Sequence, residues 1–443
     1  MAIAWLDGSI DAAFALARAQ QRPLFLYWGA AWCPPCNRVK AEIFARDEFV
    51  QRTAAVLCYH LDGDSPGAQA LAAQYRLRSY PTLVLYAPDG SEITRLPCEL
   101  DGELFVAAFD TALAVHAAGS SAAAALDAAL VGTRAPSADE WSLLSNYSWD
   151  TDEGTLLGER ALAPTLTALA AASSNPDAAV RLSLHAQLAT GVADAAMLLS
   201  VLADARLARS NMDIFNNSGL NLIKIASRRE ELAAALSSVA AQWADDFWLS
   251  APDRLMAVRL QMRLARLLAP AQGLQQQVSE RVAAALAESD DPYERHTLVN
   301  TAVSALNDAG LAAQAEQVLL AELPRSHSPY YFMLSLAASA RRRNDSAAVL
   351  DWYARAWAAA VGPATRLQWG VTYLLSLIDL TPQDSARIAQ ALQSLQADID
   401  AAGPDARQQR NLSQLQKLAP KIATLNPGSV LPNAHKLMYI WQN

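Results

Sequence analysis

The sequence predicts an α/β domain over residues 1–118 followed by an all-α, helical-repeat region over residues 119–443. Three observations carry this division. Up to about residue 118 the apolar residues switch between helical spacing and short unbroken runs suited to interior strands. Beyond Ala117 only helical patterns remain, interrupted by short clusters of Ser, Asn, Asp, Gly and Pro. All four cysteines, Cys33, Cys36, Cys58 and Cys98, fall in the first part.

The elements follow in order. Ser9 to Gln21 places Ile10, Phe14 and Ala17 on one helical face, and Leu24–Trp28 is an apolar run fit for an interior parallel strand. Pro34 to Thr53 is helical by pattern, with Val39, Ile43 and Phe44 on one side. Ala54–Leu61 is a second buried strand, ended by the turn-forming Asp62-Gly63-Asp64-Ser65-Pro66-Gly67. Ala68–Tyr75 makes a short helix. Thr82–Tyr86 and Glu92–Leu96 flank Ala87-Pro88-Asp89-Gly90-Ser91, a hairpin signature, and Asp101 caps a closing helix through Val115. This is a parallel βαβ unit followed by an antiparallel pair.

Gly119-Ser120-Ser121 reads as a linker. The helical patterns after it break at Ser173–Pro176, Asn216–Gly219, Ser250–Pro252, Asn307–Gly310, Ser326–Pro329, Gly362-Pro363 and Thr381-Pro382, spacings that suit stacked helical hairpins. Within 311–361 the last helix, with Ala348, Trp352, Ala356 and the following Gly362-Pro363, resembles the second helix of a tetratricopeptide unit without matching the consensus position by position, and an irregular α-solenoid is expected.

At 443 residues, 52% hydrophobic and 18% charged, the chain has the composition of a globular protein with more than one domain. A net charge of −9 argues against a nucleic-acid surface, and no apolar run reaches the length of a membrane span. Met1 to Asp7 lacks a basic segment leading into an apolar one, so a cytoplasmic location is expected, or a periplasmic one if a leader has been removed.

The chemistry centres on Trp32-Cys33-Pro34-Pro35-Cys36, directly after the first strand. Two thiols one helical turn apart can close a small disulfide, and the first sits where helix-terminal N–H groups favour a thiolate. Cys-x-x-Cys also fits half of a zinc site, but no second ligand pair accompanies it. Pro34 and Pro35 each lack an N–H, which leaves Cys36 and Asn37 as the nearest donors to Cys33. The pair should therefore act as a reductant or moderate exchanger.

With Ser79-Tyr80-Pro81-Thr82 just before the hairpin, residues 1–118 resemble a thioredoxin-fold domain. The Cys33, Cys36, Glu42-Ile43-Phe44 and Phe49-Val50 spacing is similar to that of thiol:disulfide interchange proteins. The resemblance implies that Cys33 attacks a substrate disulfide and the more buried Cys36 resolves it. It also implies a cis Pro81 with Tyr80 offering backbone groups to substrate, Thr82 supporting the site, and a surface-facing Trp32. Two positions depart from the family: Tyr27 stands where thioredoxins carry a buried aspartate, and Cys58 where they carry its lysine partner. Tyr27 is then a candidate proton intermediary for Cys36, while Glu42 does not point at it.

Other residues have plainer readings. His60 beside Asp62 has the look of a relay but reads as a solvated or satisfied strand-end histidine, Cys58 is a small core residue, and Cys98 reads as a lone edge-strand thiol, with pairing to Cys58 the alternative. Asp62 and Asp64 lack the further oxygens of a calcium loop, and the aromatic stretches after residue 118 read as core. No metal is expected, and no cofactor beyond the redox-active Cys33–Cys36 disulfide. The expected function is reduction or exchange of protein disulfides, with the helical region recruiting substrate or partner. The alternative is an interaction protein whose helical region binds a partner and whose dithiol is a redox sensor.

Overall fold

Ser9 accepts a hydrogen bond from the Ala12 N–H and starts helix α1, Ile10–Gln20, which buries Ile10, Ala13, Phe14 and Ala17. Strand β1, Leu24–Gly29, is buried at every position, as an all-apolar interior strand must be. There follow α2 (Pro34–Val39), α3 (Asp47–Thr53), β2 (Leu57–Asp62), α4 (Ala68–Gln74), β3 (Thr82–Tyr86), β4 (Glu92–Leu96) and α5 (Gly102–Ala117). The four strands form one sheet in the order β2-β1-β3-β4. Strands β3 and β4 are antiparallel, with Leu83 opposite Leu96. The computed structural model describes residues 2–268 and 273–425, so the end of the expected helical region, 426–443, lies outside the described residues.

One expected element is divided. The helix anticipated from Pro34 to Thr53 runs as α2, then a π-helical turn over Lys40–Phe44, then a break before α3. Gly102, at the start of α5, shows how closely the backbone packs there. A Cβ on it would stand 2.6 Å from Arg46 Cδ and 2.8 Å from the Glu42 carbonyl oxygen.

Beyond residue 118 the described chain is mostly helical, and its sequential helices pack as neighbouring pairs. Leu162–Ala172 lies on Pro176–Thr190, Arg229–Asp245 on Ala251–Leu268, and Pro329–Arg342 on Ser346–Ala359. Six of the seven expected breaks fall at or beside helix ends. The exception is Asn216–Gly219, which lies inside the helix Met212–Ile225. There Gly219 serves packing, since a Cβ would come 2.7 Å from Leu236 Cδ2.

The chain divides into two compact units that do not follow the change of texture at residue 118. One comprises Met1–Tyr27, Cys33–His60 and Ser79–Leu311; the other comprises Trp28–Trp32, Leu61–Arg78 and Ala312–Asn443. The first unit is centred on edge-to-face aromatics, with Phe25 at 5.7 Å from Phe49 and 5.6 Å from Phe109. Each such pair adds about 0.5–1.5 kcal/mol beyond the area it buries. In the second, Asp405 accepts from the Gly67 and Ala70 N–H groups at the start of α4, and Asp64 accepts from the Thr365 N–H at the start of the helix Pro363–Leu380.

Candidate active site: the Cys33–Cys36 dithiol

Cys33 is the N-cap of α2, with extended backbone, and Pro34 and Pro35 occupy the first helical positions, where a missing N–H costs nothing. The first available donors divide their roles. The Cys36 N–H donates to Cys33 Sγ at 3.3 Å, and the Asn37 N–H donates to the Cys33 carbonyl at 3.0 Å. Both cysteines are free thiols. The arrangement is a reduced dithiol whose outer sulfur receives one backbone hydrogen bond.

Cys33 lies nearer solvent than Cys36 by a small margin only. Cys33 is 3% exposed and Cys36 fully buried. Burial, followed by the Cys36 thiol beside it, pushes the Cys33 thiol well above its ordinary pKa, and the Cys36 N–H pulls against this. In this form Cys33 is a neutral thiol at pH 7.

Within the first unit, α2 is held by helices far along the chain. Thr297, on the helix Pro292–Asp308, donates its hydroxyl to the Pro34 carbonyl at 3.1 Å. Arg38 bonds both Glu42 (2.8 Å) and the buried Asp253 (2.7 Å). Ser250 donates its hydroxyl to Glu42 at 2.8 Å. Burial opposes the Arg38 charge, and Asp253 and Glu42 together outweigh it. Glu42 is therefore a structural anchor, consistent with the expectation that it does not serve Cys36.

Trp32 belongs to the second unit, and the expectation of a surface-facing indole is corrected: it is 8% exposed. Its ring stacks on Tyr331 at 5.9 Å and meets Trp369 edge-on at 5.5 Å, while its N–H donates to Asp64 at 3.2 Å. Asp64 also accepts from the Thr365 hydroxyl at 2.8 Å. Burial raises the Asp64 carboxyl to about 6, against these hydrogen bonds.

The Tyr80–Pro81 bond is cis, and the Thr82 hydroxyl donates to the Ser79 carbonyl at 2.8 Å as β3 begins. Tyr27 lies in an aromatic cluster, stacked on His60 at 4.6 Å and edge-on to Phe44 at 5.0 Å. His60 thus packs against an aromatic ring.

The expectation that Cys98 lies on an edge strand is corrected, since β4 ends at Leu96, and Glu99 was not singled out by the sequence. Cys98 is close enough to Cys33 and Cys36 for the charge of one thiolate to disfavour the others. Its thiol bonds the Glu99 carboxyl. Pro97 and Glu99, its two neighbours, line a cavity of about 560 Å3 that also receives Arg181, His185 and Asp213. The available signal was the hairpin register: with Leu96 opposite Leu83, the chain leaving β4 emerges at the sheet end where Pro81 enters β3. Among the described residues, no group of three or more His, Cys, Asp or Glu could hold a metal, and no single helix is long and apolar enough to cross a membrane.

Residues 10–113 match the family model of a thioredoxin-like domain. Over 85 residues the chain is 29% identical to thiol:disulfide interchange protein DsbD 1 of Pseudomonas aeruginosa, covering 19% of this chain and 14% of that protein. The match thus spans a small part of that relative's length. A solved structure of a DsbH oxidoreductase aligns at 24% identity, covering 26% of this chain and 88% of that one, with a TM-score of 0.23. The chain therefore carries a thioredoxin-like domain at residues 10–113, fused to a mostly helical C-terminal region.

Proposed function

We propose that the protein is a thiol–disulfide oxidoreductase that reduces or exchanges protein disulfides through Cys33 and Cys36. The observation that carries this reading is the dithiol at the start of α2, with the Cys36 N–H aimed at Cys33 Sγ. The Cys33 thiolate attacks one sulfur of a substrate disulfide, and the other sulfur leaves as a thiolate and takes up a proton. Cys36 then attacks Cys33 Sγ, forming the Cys33–Cys36 disulfide and releasing the second substrate thiol. Tyr80 offers its backbone to the substrate strand, with Pro81 and Thr82 fixing the loop. Pro34 and Pro35 start the dithiol helix, Trp32 shapes the segment that leads into it, and Tyr27 stands on the strand before it as a candidate proton intermediary.

Because Cys33 is buried, turnover requires an opening that exposes it, and the bond from Thr297 on the helix Pro292–Asp308 to the Pro34 carbonyl is one that such an opening would break. The helical region then recruits the substrate or partner that accompanies opening. Insulin reduction by the full chain tests this. Cys33→Ser should lower the rate by at least about a hundredfold, and Cys36→Ser should accumulate substrates covalently held at Cys33. Equal rates for wild type and Cys33→Ser would sink the proposal.

The burial of Cys33 also favours a second reading, in which oxidation of the dithiol switches a partner-binding surface on the helical region. Partner binding that depends on redox state, without insulin reduction, would select it.

A further inference from the structure

The cavity of about 560 Å3 beside Pro97 and Glu99 lies wholly within the first unit and takes no part in the thiol chemistry proposed above. One face of the helix Met212–Ile225 lines it with Ile214, Asn217, Ser218 and Asn221. The side chains of Asn217, Ser218 and Asn221 make no hydrogen bond among the described residues, and both asparagines are exposed. The rest of the lining is fixed. Arg181 donates to Asp213 at 2.9 and 2.6 Å and to the Ser145 carbonyl at 3.1 Å. Leu162, Leu166 and Leu188 add apolar surface. Trp149, 5% exposed, lines the cavity too, and its indole N–H has no hydrogen-bond partner among the described residues.

We propose that this cavity binds an extended polypeptide segment by its backbone, with Asn217 and Asn221 pairing with alternate residues and a lysine or arginine of the segment meeting Glu99 and Asp150. The two asparagines stand one turn apart, about 6 Å along the helix axis. An extended chain returns to the same orientation every two residues, or about 6.6 Å. Each side-chain amide carries a donor and an acceptor, so one can bond the N–H and C=O of a residue while the next meets the equivalent groups two residues on. A backbone drawn out of water needs such partners, and the leucines receive its apolar side chains.

Charge selects among segments. Arg181 matches Asp213, and burial with the Arg181 charge lowers His185 to about 4, which leaves it neutral at pH 7. The other charged side chains of the lining, Glu99 and Asp150, are both acidic, so a basic segment is favoured over an acidic one. Pro97 and Glu99 follow β4 at the sheet end where Pro81 enters β3, so the cavity and the Tyr80–Pro81 loop share that end of the sheet. The inference rests on the proposed function for the reading of this segment as substrate, but binding itself needs no redox step.

Fluorescence anisotropy with the full chain tests this. The probes are a fluorescein-labelled ten-residue peptide of Val, Ser and Lys, the same peptide N-methylated at alternate backbone nitrogens, and a counterpart with Glu for Lys. The lysine peptide should bind saturably, and N-methylation should weaken it about tenfold. Asn217→Ala with Asn221→Ala, both in exposed helical positions, should weaken the lysine peptide by a similar factor and abolish the effect of N-methylation. Asp150→Asn should narrow the preference for the lysine peptide over the glutamate one. Equal affinity of wild type for the lysine peptide and its N-methylated form overturns the inference, as does unchanged binding in the double variant with native circular dichroism. Peptide binding of the expected pattern without insulin reduction overturns the proposed function alone, and insulin reduction without that pattern overturns the inference alone.

Discussion

Cys33 caps the helix that bears it, and the two prolines behind it decide how much charge it can hold. A cap followed by ordinary residues would direct several N–H groups at the sulfur, but here the Cys36 N–H donates alone in the first turn. With burial acting in the same direction, the folded chain should show no Cys33 thiolate absorbance at pH 7. A titration step below pH 7 that disappears in Cys33→Ser would contradict this.

Asp64 and His185 give pH effects of opposite sign. The Asp64 carboxyl rises to about 6 on folding, so the native state holds its proton more tightly than the unfolded state. Its contribution to stability is complete below about pH 4 and is lost as pH rises through 6. Burial and the Arg181 charge lower His185 to about 4. Its contribution is complete above about pH 6.5 and is lost as pH falls through 4. Denaturant melts between pH 4 and 7 separate the two. Asp64→Asn should remove a decline of up to about 3 kcal/mol with rising pH, and His185→Gln a rise of similar size. Slopes unchanged from wild type in both variants would refute the assignment.

At the scale of elements, the dithiol helix is too short to be stable alone and owes its position to what packs on it. Removing the Thr297 hydroxyl in Thr297→Val should cost about 1 kcal/mol. If the lost bond is absent from the open form, Cys33 alkylation should quicken about fivefold. Arg38→Ala leaves Asp253 buried without its cation and should cost about 3 kcal/mol, read as a lower urea midpoint. Gly102→Ala forces a Cβ against the Glu42 carbonyl and should destabilise by about 1–3 kcal/mol.

The elements themselves were largely legible. Both hairpin strands match their expected bounds, and Asp101 caps the helix expected of it, because turn and cap chemistry is local. The π-helical turn was hidden, since the apolar spacing of Val39, Ile43 and Phe44 is equally consistent with a continuous helix. Gly219 misled because a glycine chosen for close packing looks like a breaker in one dimension.

At the scale of the whole molecule, the hidden part was the environment of the motif. Nothing near Trp32 in sequence announces Tyr331 or Trp369, and nothing near Pro34 announces Thr297. Long-range packing of this kind has no local signature, so a motif that reads as exposed can be covered. Alkylation of the folded chain by a bulky maleimide should therefore modify Cys98 before Cys33, with peptide mapping as the readout. Faster labelling of Cys33 would contradict the buried arrangement.

The covering of α2 also has a kinetic consequence. A reaction that must wait for a helix to lift cannot run faster than the lifting, whatever the concentration or chemistry of the disulfide outside. Under the proposed function, the observed rate at saturation should approach one ceiling common to unrelated protein substrates. Thr297→Val should raise that ceiling for all of them by the same factor, because the bond between Thr297 and Pro34 is broken before any substrate arrives.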